Sequence, residues 1–202
     1  MHEVDSLLTD SRKLSNIHSA AFFAMKGVNH DGHNYIHELA LKGIRTFIIE
    51  EEPAVPLPSG VNIISVNSSL KAIQELAKQK RAQFNGPVIA ITGSNGKTIV
   101  KEWLSTMLSG KLNVAKSPKS YNSQLGVPLS VWEVGPQDDI GVFEAGISKM
   151  NEMPHLREVI KPTHGILTNI GTAHEEGFES IEIKINEKLE LFRSSEVLVY
   201  ST

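Results

Sequence analysis

The sequence predicts an α/β protein in which a small N-terminal α/β domain precedes a doubly wound, mostly parallel sheet. Short apolar, β-branched runs alternate with helical patterns along most of the 202 residues, which is typical of right-handed βαβ units. The break Asn85-Gly86-Pro87 interrupts this alternation and predicts a boundary between domains 1–85 and 86–202. Directly after the break, a strand runs into a glycine-rich turn and then a helix.

The N-terminal domain is predicted to hold three strands and two helices. Gly43 ends the first helix, and Ser68 caps the second, which carries an apolar stripe on one face. The strands are expected at residues 20–25, 44–49 and 61–66, and the helices at residues 33–42 and 68–84.

The second domain is predicted to continue the alternation up to its last strand. Strands are expected at residues 88–91, 113–115, 140–143, 165–169 and 197–200, and helices at residues 98–108, 125–134, 151–160 and 180–192. Because the last strand is followed by no helix, the expected sheet is incomplete.

Composition excludes several classes of function. A net charge of −3 and a pI near 6.2 provide no basic footprint for nucleic acid. The absence of cysteine excludes disulfides and thiolate metal sites. The N-terminus lacks the pattern of a signal peptide, and no apolar run approaches the roughly 18 residues of a membrane span. We therefore expect a soluble, cytoplasmic protein.

The stretch P-V-I-A-I-T-G-S-N-G-K-T, residues 87–98, predicts a phosphate-binding loop. Its glycines allow a tight turn that aims backbone N–H groups inward, ahead of the positive end of a helix dipole. Lys97 would reach the β- and γ-phosphates, and the Thr98 hydroxyl would ligate Mg²⁺. The strict P-loop spacing has a glycine where this chain has Ile91, so the match is to a shorter G-x-x-G-K-T form. The alternative is a glycine-rich turn without a ligand. We predict a nucleoside triphosphate site formed by Gly93, Ser94, Asn95, Gly96, Lys97 and Thr98.

Further polar residues fall at or near predicted strand ends, where open α/β sheets bind ligands. Glu144 could hold Mg²⁺ through oxygen, and the alternative is a solvated loop carboxylate. Asn169 could orient a ligand, whereas His174 is a metal ligand, a phosphate contact or simply an exposed histidine. By spacing alone, Lys188 is a solvated lysine on an amphipathic helix.

The N-terminal domain offers donors for an anionic ligand such as a diphosphate. They lie in Asp10-Ser11-Arg12 and in residues 26–33. The alternative for the first segment is a structural Arg–Asp pair in a loop.

Taken together, these motifs resemble the Mur ligase family of peptidoglycan synthesis over essentially the whole chain. Within that family, the sequence is most similar to the type that adds D-Ala-D-Ala to UDP-N-acetylmuramoyl-tripeptide. It also looks like the ligase half of bifunctional proteins that carry an alanine racemase. The motifs are T-D-S-R-K-L (9–14), F-F-A-M-K-G-V-N-H-D-G-H (22–33), I-T-G-S-N-G-K-T (91–98), Y-N-S-Q-L-G-V-P (121–128), F-E-A-G (143–146), N-I-G-T-A-H-E-E-G-F (169–178) and E-K-L-E-L-F (187–192).

The resemblance implies an ATP-dependent amide ligase that works through an acyl phosphate. It implies catalytic roles for Lys97, His174 and Lys188, with ATP bound by the loop and Asn169. One Mg²⁺ would be held by Thr98 and Glu144 and a second by His174, while Lys188 falls on a lysine that many Mur ligases carry as a carbamate facing the metal. Ser11 and Arg12 would lie at the UDP end of the substrate, and Asn122 would approach its muramoyl part.

Two departures from the family pattern bear on these expectations. Asn122-Ser123 stands where relatives of this type commonly have two asparagines. The chain also ends partway through what resembles the central ATPase domain, so we expect a fragment that lacks the C-terminal domain and is inactive or weakly active alone. The alternatives are a Mur ligase that adds a single amino acid, a non-catalytic nucleotide- or UDP-sugar-binding module, and a P-loop kinase or GTPase.

Overall fold

A computed structural model describes residues 4–14, 16–171, 178 and 180–201. The chain forms two compact units, one ending at Ile73 and one beginning at Gln74. Within the described residues, no helix is both long and apolar enough to cross a membrane.

The first unit is built on a four-stranded parallel sheet with the order β1-β2-β3-β4. Its core is apolar, and the rings of Phe22 and Phe47 meet edge to face with centroids 6.1 Å apart. β1 was not predicted, because three residues are too few to show a periodic pattern. The strands are β1 (Ser6–Leu8), β2 (Ala20–Phe23), β3 (Thr46–Ile49) and β4 (Asn62–Ser65), and helix α1 (Ile36–Leu41) follows a 3₁₀ turn (Gly32–Tyr35).

Helix α2 (Ser69–Ala82) contains the division between the two units. Its second half belongs to the second unit, where Ala77 lies in the core and Arg81 donates to the carbonyls of Ile160 at 2.7 Å and Lys161 at 2.9 Å. The two compact units thus divide the chain earlier than the break at residues 85–87. The predicted domains 1–85 and 86–202 stay a prediction.

The second unit contains a five-stranded parallel sheet with the order β6-β7-β5-β8-β9, so the predicted parallel α/β architecture is confirmed. The strands are β5 (Val88–Thr92), β6 (Val114–Lys116), β7 (Ile140–Glu144), β8 (His164–Leu167) and β9 (Val197–Tyr200). The helices are α3 (Lys97–Leu108), α4 (Gly126–Trp132), α5 (Met153–Ile160) and α6 (Ile181–Leu189), and a 3₁₀ turn (Glu190–Phe192) follows α6.

The order of this sheet determines where its polar residues meet. β5 lies at the centre, between β7 and β8, and all three strands run in the same direction. Their carboxyl ends therefore share one edge of the sheet, with Thr92, Glu144 and Leu167 as the last residues. This edge is where an open α/β sheet binds its ligands.

Candidate active site

The turn between β5 and α3 takes a backbone conformation that requires glycine. Gly93 has φ +144° and Gly96 has φ +79°. At Gly93, a Cβ would lie 2.0 Å from Thr168 Oγ1 and 2.9 Å from the carbonyl oxygen of Asn169. At Gly96, the space around a Cβ is open. Gly93 thus allows a close approach to the segment after β8, whereas Gly96 only sets the backbone direction into α3.

The segment after β8 holds the turn in place. Ser94 N donates to Asn169 O at 2.8 Å, and Asn95 N donates to Asn169 Oδ1 at 2.9 Å. Thr168 Oγ1 donates to Asn95 O at 2.6 Å, and Gly171 N donates to Ser94 Oγ at 2.9 Å. In this structure, Asn169 shapes the loop. The N–H groups of the first turn of α3 have no intrahelical acceptor and remain the donors suited to phosphate.

Two lysines lie over the same carbonyl group of this loop. Lys97 Nζ donates to Gly93 O at 2.9 Å, and Lys188 Nζ donates to that oxygen at 3.3 Å. Burial lowers the pKa of Lys97, and Glu144 acts in the opposite direction. Burial, with Lys97 and Lys184 adding to the effect, lowers the pKa of Lys188 to about 8. Two partly buried ammonium groups that share one carbonyl make an excess of positive charge, which favours an anion.

Spacing alone was wrong about Lys188, which is 4% exposed. Helix α6 buries charged residues, namely Lys184, Glu187 and Lys188, whereas Ile181 is 52% exposed. These charges have partners: Lys184 Nζ donates to Gly171 O at 2.6 Å, and Glu187 Oε1 accepts from Met153 N at 3.0 Å. Leu189 still packs against the core, so α6 buries charged and apolar residues together, and the apolar spacing identified only part of its buried surface.

Glu144 lies at the end of β7 and has no exposed surface, so the alternative of a solvated loop carboxylate is wrong. Its Oε2 lies 2.9 Å from Thr98 Oγ1, and its Oε1 lies 3.2 Å from the same hydroxyl. Adjacent oxygens around an octahedral Mg²⁺ are about 2.9 Å apart, given Mg–O distances of about 2.0–2.1 Å. Thr98 and Glu144 are therefore spaced as two neighbouring ligands of Mg²⁺ would be, and Mg²⁺ is the ion expected beside a nucleoside triphosphate.

A second metal position is not defined by the described residues. Among them, no three His, Asp or Glu side chains cluster in a way that would hold a metal ion. His174, the residue expected to bind a second ion, lies outside the described residues. The proposed pair of ions therefore rests on the family resemblance.

Lys101 is a buried residue at this site that our sequence analysis did not identify. It lies one helical turn after Lys97, and its side chain has no exposed surface. Nζ donates to Glu144 Oε1 at 3.1 Å and to Ser117 O at 2.8 Å, and it also contacts the carbonyl of Lys119. The available signal was its i+4 position relative to Lys97, which places both lysines on the same face of α3.

Asn122 lies next to the segment that follows Glu144. Its carbonyl accepts a hydrogen bond from Gly146 N at 2.7 Å, and its side chain packs against Gly146. Ser123 Oγ accepts from Gly126 N at 3.1 Å at the beginning of α4, so the serine that departs from the family pattern has a local structural contact. The structure thus brings Asn122 to the same sheet edge as Glu144.

In the first unit, Arg12 forms a bidentate pair with Asp10. Nε lies 2.8 Å from Asp10 Oδ1, and Nη2 lies 3.0 Å from Oδ2. These hydrogen bonds hold the pKa of Asp10 at about 2, well below its usual range. The Arg–Asp pair considered for this loop is present, and the Arg12 side chain is still 85% exposed. Ser11 is half-buried beside it.

Residues 26–33 of the same unit are fastened by His33. His33 Nδ1 lies 2.6 Å from Asp31 Oδ1, while Nε2 accepts from Glu50 N at 3.0 Å. This pattern places the ring proton on Nδ1. Asp31 also accepts from His33 N, so the histidine is part of the loop framework.

Comparisons with known proteins identify the family of the chain. Residues 91–201 match the Mur ligase middle domain, and residues 3–81 match the Mur ligase family catalytic domain. The first match covers more than half of the chain. The chain therefore belongs to the Mur ligase family.

Relatives that are 30–34% identical to this chain carry the name UDP-N-acetylmuramoyl-tripeptide–D-alanyl-D-alanine ligase, or MurF. The ligase of Synechocystis is 34% identical over 85% of this chain and 37% of its own length. That of Bacillus subtilis is 30% identical over 98% of this chain and 43% of its own length. The chain thus spans about two fifths of the length of these relatives.

Solved MurF structures share the fold. MurF from Acinetobacter baumannii superposes with a TM-score of 0.87 at 29% identity, covering 98% of this chain and 43% of its own. MurF from Thermotoga maritima, solved in complex with ADP, superposes with a TM-score of 0.85 at 30% identity, covering 98% of this chain and 45% of its own.

The two loop glycines should differ in their tolerance of a side chain. Gly93→Ala combines a disfavoured φ with a clash against Thr168 and Asn169, and we expect it to lower the free energy of unfolding by about 3 kcal/mol. Gly96→Ala, the matched control, meets only the left-handed backbone cost of about 1–2 kcal/mol. Urea-induced unfolding of both variants checks this, and equal losses would contradict the close approach at Gly93.

Lys188 should make stability depend on pH. Its pKa of about 8 in the folded chain lies below the ordinary 10.5, so the unfolded chain binds more protons between these values. Below pH 8 the buried Lys188 is protonated and destabilises the folded chain to the full extent. The free energy of unfolding should therefore rise between pH 8 and 10.5, as the folded chain no longer holds this proton. Lys188→Met should flatten this rise in CO₂-free buffer, whereas Lys111→Met, at an exposed lysine, should not. Equal pH slopes for Lys188→Met and wild type would contradict the assignment.

Proposed function

We propose that this chain is the substrate- and ATP-binding part of a MurF-type ligase, which adds D-Ala-D-Ala to UDP-N-acetylmuramoyl-tripeptide. The observation that carries the proposal is the approach of Thr98 Oγ1 to within 2.9 Å of the buried Glu144 carboxylate, next to a glycine-rich loop whose Gly93 carbonyl accepts from Lys97 and Lys188. This arrangement suits a triphosphate with a divalent cation. Similarity to MurF proteins over nearly the whole chain supports the choice of ligase.

The proposed reaction joins a carboxylate to an amine at the expense of ATP. The terminal carboxylate of the UDP-linked tripeptide attacks the γ-phosphorus, which releases ADP and forms an acyl phosphate. The amine of D-Ala-D-Ala then attacks the acyl carbon, a proton leaves the nitrogen, and phosphate departs from the tetrahedral intermediate as the amide forms. Such chemistry depends on positioning and on neutralising phosphate charge.

The residues divide this work according to their chemistry. Lys97 and the N–H groups of the first turn of α3 would neutralise and orient the phosphates. Thr98 and Glu144 would hold Mg²⁺, which supplies charge stabilisation when bound. Asn169 keeps the loop in shape, and His174 is assigned to a second ion by resemblance. Asn122 lies beside the segment after Glu144, where it would meet the muramoyl part of the substrate.

The UDP end of the substrate is assigned to the first unit. Arg12 has an exposed guanidinium whose orientation is set by Asp10, and the Ser11 hydroxyl is its neighbour. Guanidinium groups bind diphosphate oxygens well because they present several donors in a fixed plane. We place the reaction in the cytoplasm, where ATP and UDP-linked precursors are available.

We further propose that Lys188 carries a carbamate. A lowered pKa increases the fraction of neutral amine, which attacks CO₂ to give R–NH–COO⁻ with release of a proton. The carbamate nitrogen keeps one hydrogen, so it can still donate a hydrogen bond to Gly93 O. The new anion would relieve the repulsion from Lys97 and Lys184 and could face Mg²⁺.

Substrate binding tests the proposed function. Calorimetry should show that the chain binds UDP-N-acetylmuramoyl-tripeptide but not UDP-glucose, and that it binds a non-hydrolysable ATP analogue with Mg²⁺. Loss of a charge-assisted hydrogen bond costs about 1.5–3 kcal/mol, so Lys97→Met should weaken nucleotide binding about 10- to 100-fold and leave the UDP substrate unaffected. Arg12→Ala should weaken binding of the UDP substrate and leave nucleotide binding unaffected.

Matched controls are Lys111→Met for the nucleotide and Lys13→Ala, in the same loop as Arg12, for the UDP substrate. Binding of UDP-glucose as tightly as the muramoyl substrate would favour a general UDP-sugar-binding module. A folded chain that binds neither substrate would refute the proposal.

The carbamate is tested by incubating the chain with ¹³C-labelled bicarbonate and recording carbon NMR spectra. We expect a slowly exchanging carbamate signal that is absent from Lys188→Arg and retained in Lys111→Met. A signal that survives Lys188→Arg would place the modification elsewhere, and the absence of any signal would refute it.

A further inference from the structure

Lys101 has the most completely buried ammonium at this sheet edge, and the proposed reaction gives it no role. Besides Glu144 Oε1, Ser117 O and Lys119 O, its Nζ lies 3.1 Å from Glu102 Oε1. A buried cation is stable only when it is paired and hydrogen-bonded, and Lys101 meets both conditions. Because two backbone carbonyls also hold Nζ, its position does not depend on Glu144 alone.

The two carboxylate oxygens of Glu144 consequently have different surroundings. Oε1 accepts from the Lys101 ammonium at 3.1 Å, whereas Oε2 lies 2.9 Å from the Thr98 hydroxyl. The backbone N–H of Glu144 donates to Ser117 Oγ at 3.3 Å, which ties the same loop to the end of β7. Both oxygens lie within 3.2 Å of Thr98 Oγ1, so the difference between them is the Lys101 ammonium, which contacts Oε1.

We propose that Lys101 is a positioning residue that reserves one oxygen of Glu144 and thereby makes the site select Mg²⁺ over Ca²⁺. The inference rests on the proposed function, since it takes Thr98 and Glu144 as ligands. In this proposal the positive charge next to Oε1 leaves Oε2, the oxygen nearer to Thr98, as the one that Glu144 offers to a cation. Mg²⁺ needs one oxygen at each octahedral corner, whereas Ca²⁺ takes about 6–8 oxygens and often both oxygens of a carboxylate.

Charge and geometry make different contributions to this selectivity. The Lys101 ammonium repels any divalent cation at the site, and this effect is similar for Mg²⁺ and Ca²⁺, which have the same charge. Freeing Oε1 benefits Ca²⁺ in particular, because only the larger ion gains from a second carboxylate oxygen. The ratio of the two affinities therefore reports on the geometry.

The experiment measures Mg²⁺ and Ca²⁺ binding by calorimetry in the presence of a non-hydrolysable ATP analogue. Substitutions of residues that support a metal ligand typically change metal affinity by about 10- to 100-fold. We expect the Mg²⁺-to-Ca²⁺ affinity ratio to fall about tenfold in Lys101→Gln, whose amide still donates to the loop carbonyls. Lys116→Gln removes the same charge from a lysine that pairs with Glu102, and it should leave the ratio unchanged.

An unchanged ratio in folded Lys101→Gln would overturn the inference while leaving the proposed function intact. A wild-type chain that binds no metal together with nucleotide would overturn the proposed function and this inference with it. If Lys101→Gln does not fold, a crystal structure of the wild-type chain with Mn²⁺ and the ATP analogue tests the inference instead. It should show one Glu144 oxygen bound to the metal and Lys101 still hydrogen-bonded to the other oxygen. Two Glu144 oxygens on the metal would refute the inference.

Discussion

Because Gly93 has no side chain, the loop after β5 can lie against the segment after β8 and within reach of Lys188 on α6. The loop after β5 passes so near to Thr168 and Asn169 that a single added carbon would overlap them. This contact lets Asn169 bind two consecutive loop amides and places Gly93 O within reach of Lys188. The loop is thus fixed by packing and hydrogen bonds before any ligand binds, which lowers the entropic cost of ordering it around phosphate.

The second unit buries several ionisable side chains, and their burial is costly in isolation. Lys101 and Glu144 offset one another directly, and Glu187 is compensated by the amide of Met153. The grouping of Lys97 with Lys188 is different, because both ammonium groups point at one carbonyl and the pKa of each is lowered. A negative charge would remove this imbalance, whether it comes from a bound phosphate or from the carbamate proposed at Lys188.

Sequence patterns predicted local features well where a single element carried the signal. The strand, the glycine turn and the helix of the phosphate loop agree with the structure, and so does the place of Glu144 at a strand end. The three-residue strand β1 was missed because it is defined by pairing with β2, not by periodicity. The burial of Lys188 and the role of Lys101 were missed for a similar reason, since both depend on partners distant in the chain.

The sequence by itself determined the α/β class, the glycine-rich turn between β5 and α3 and, through its motifs, membership of the Mur ligase family, because these depend on local spacing of glycine, apolar and charged residues. Only the tertiary structure decided that charged residues of α6 are buried and which oxygen of Glu144 contacts Lys101. It also showed that Asn169 shapes the loop. These features arise when parallel strands bring their carboxyl ends to one edge, where charges far apart in the chain become neighbours in a medium that screens them weakly.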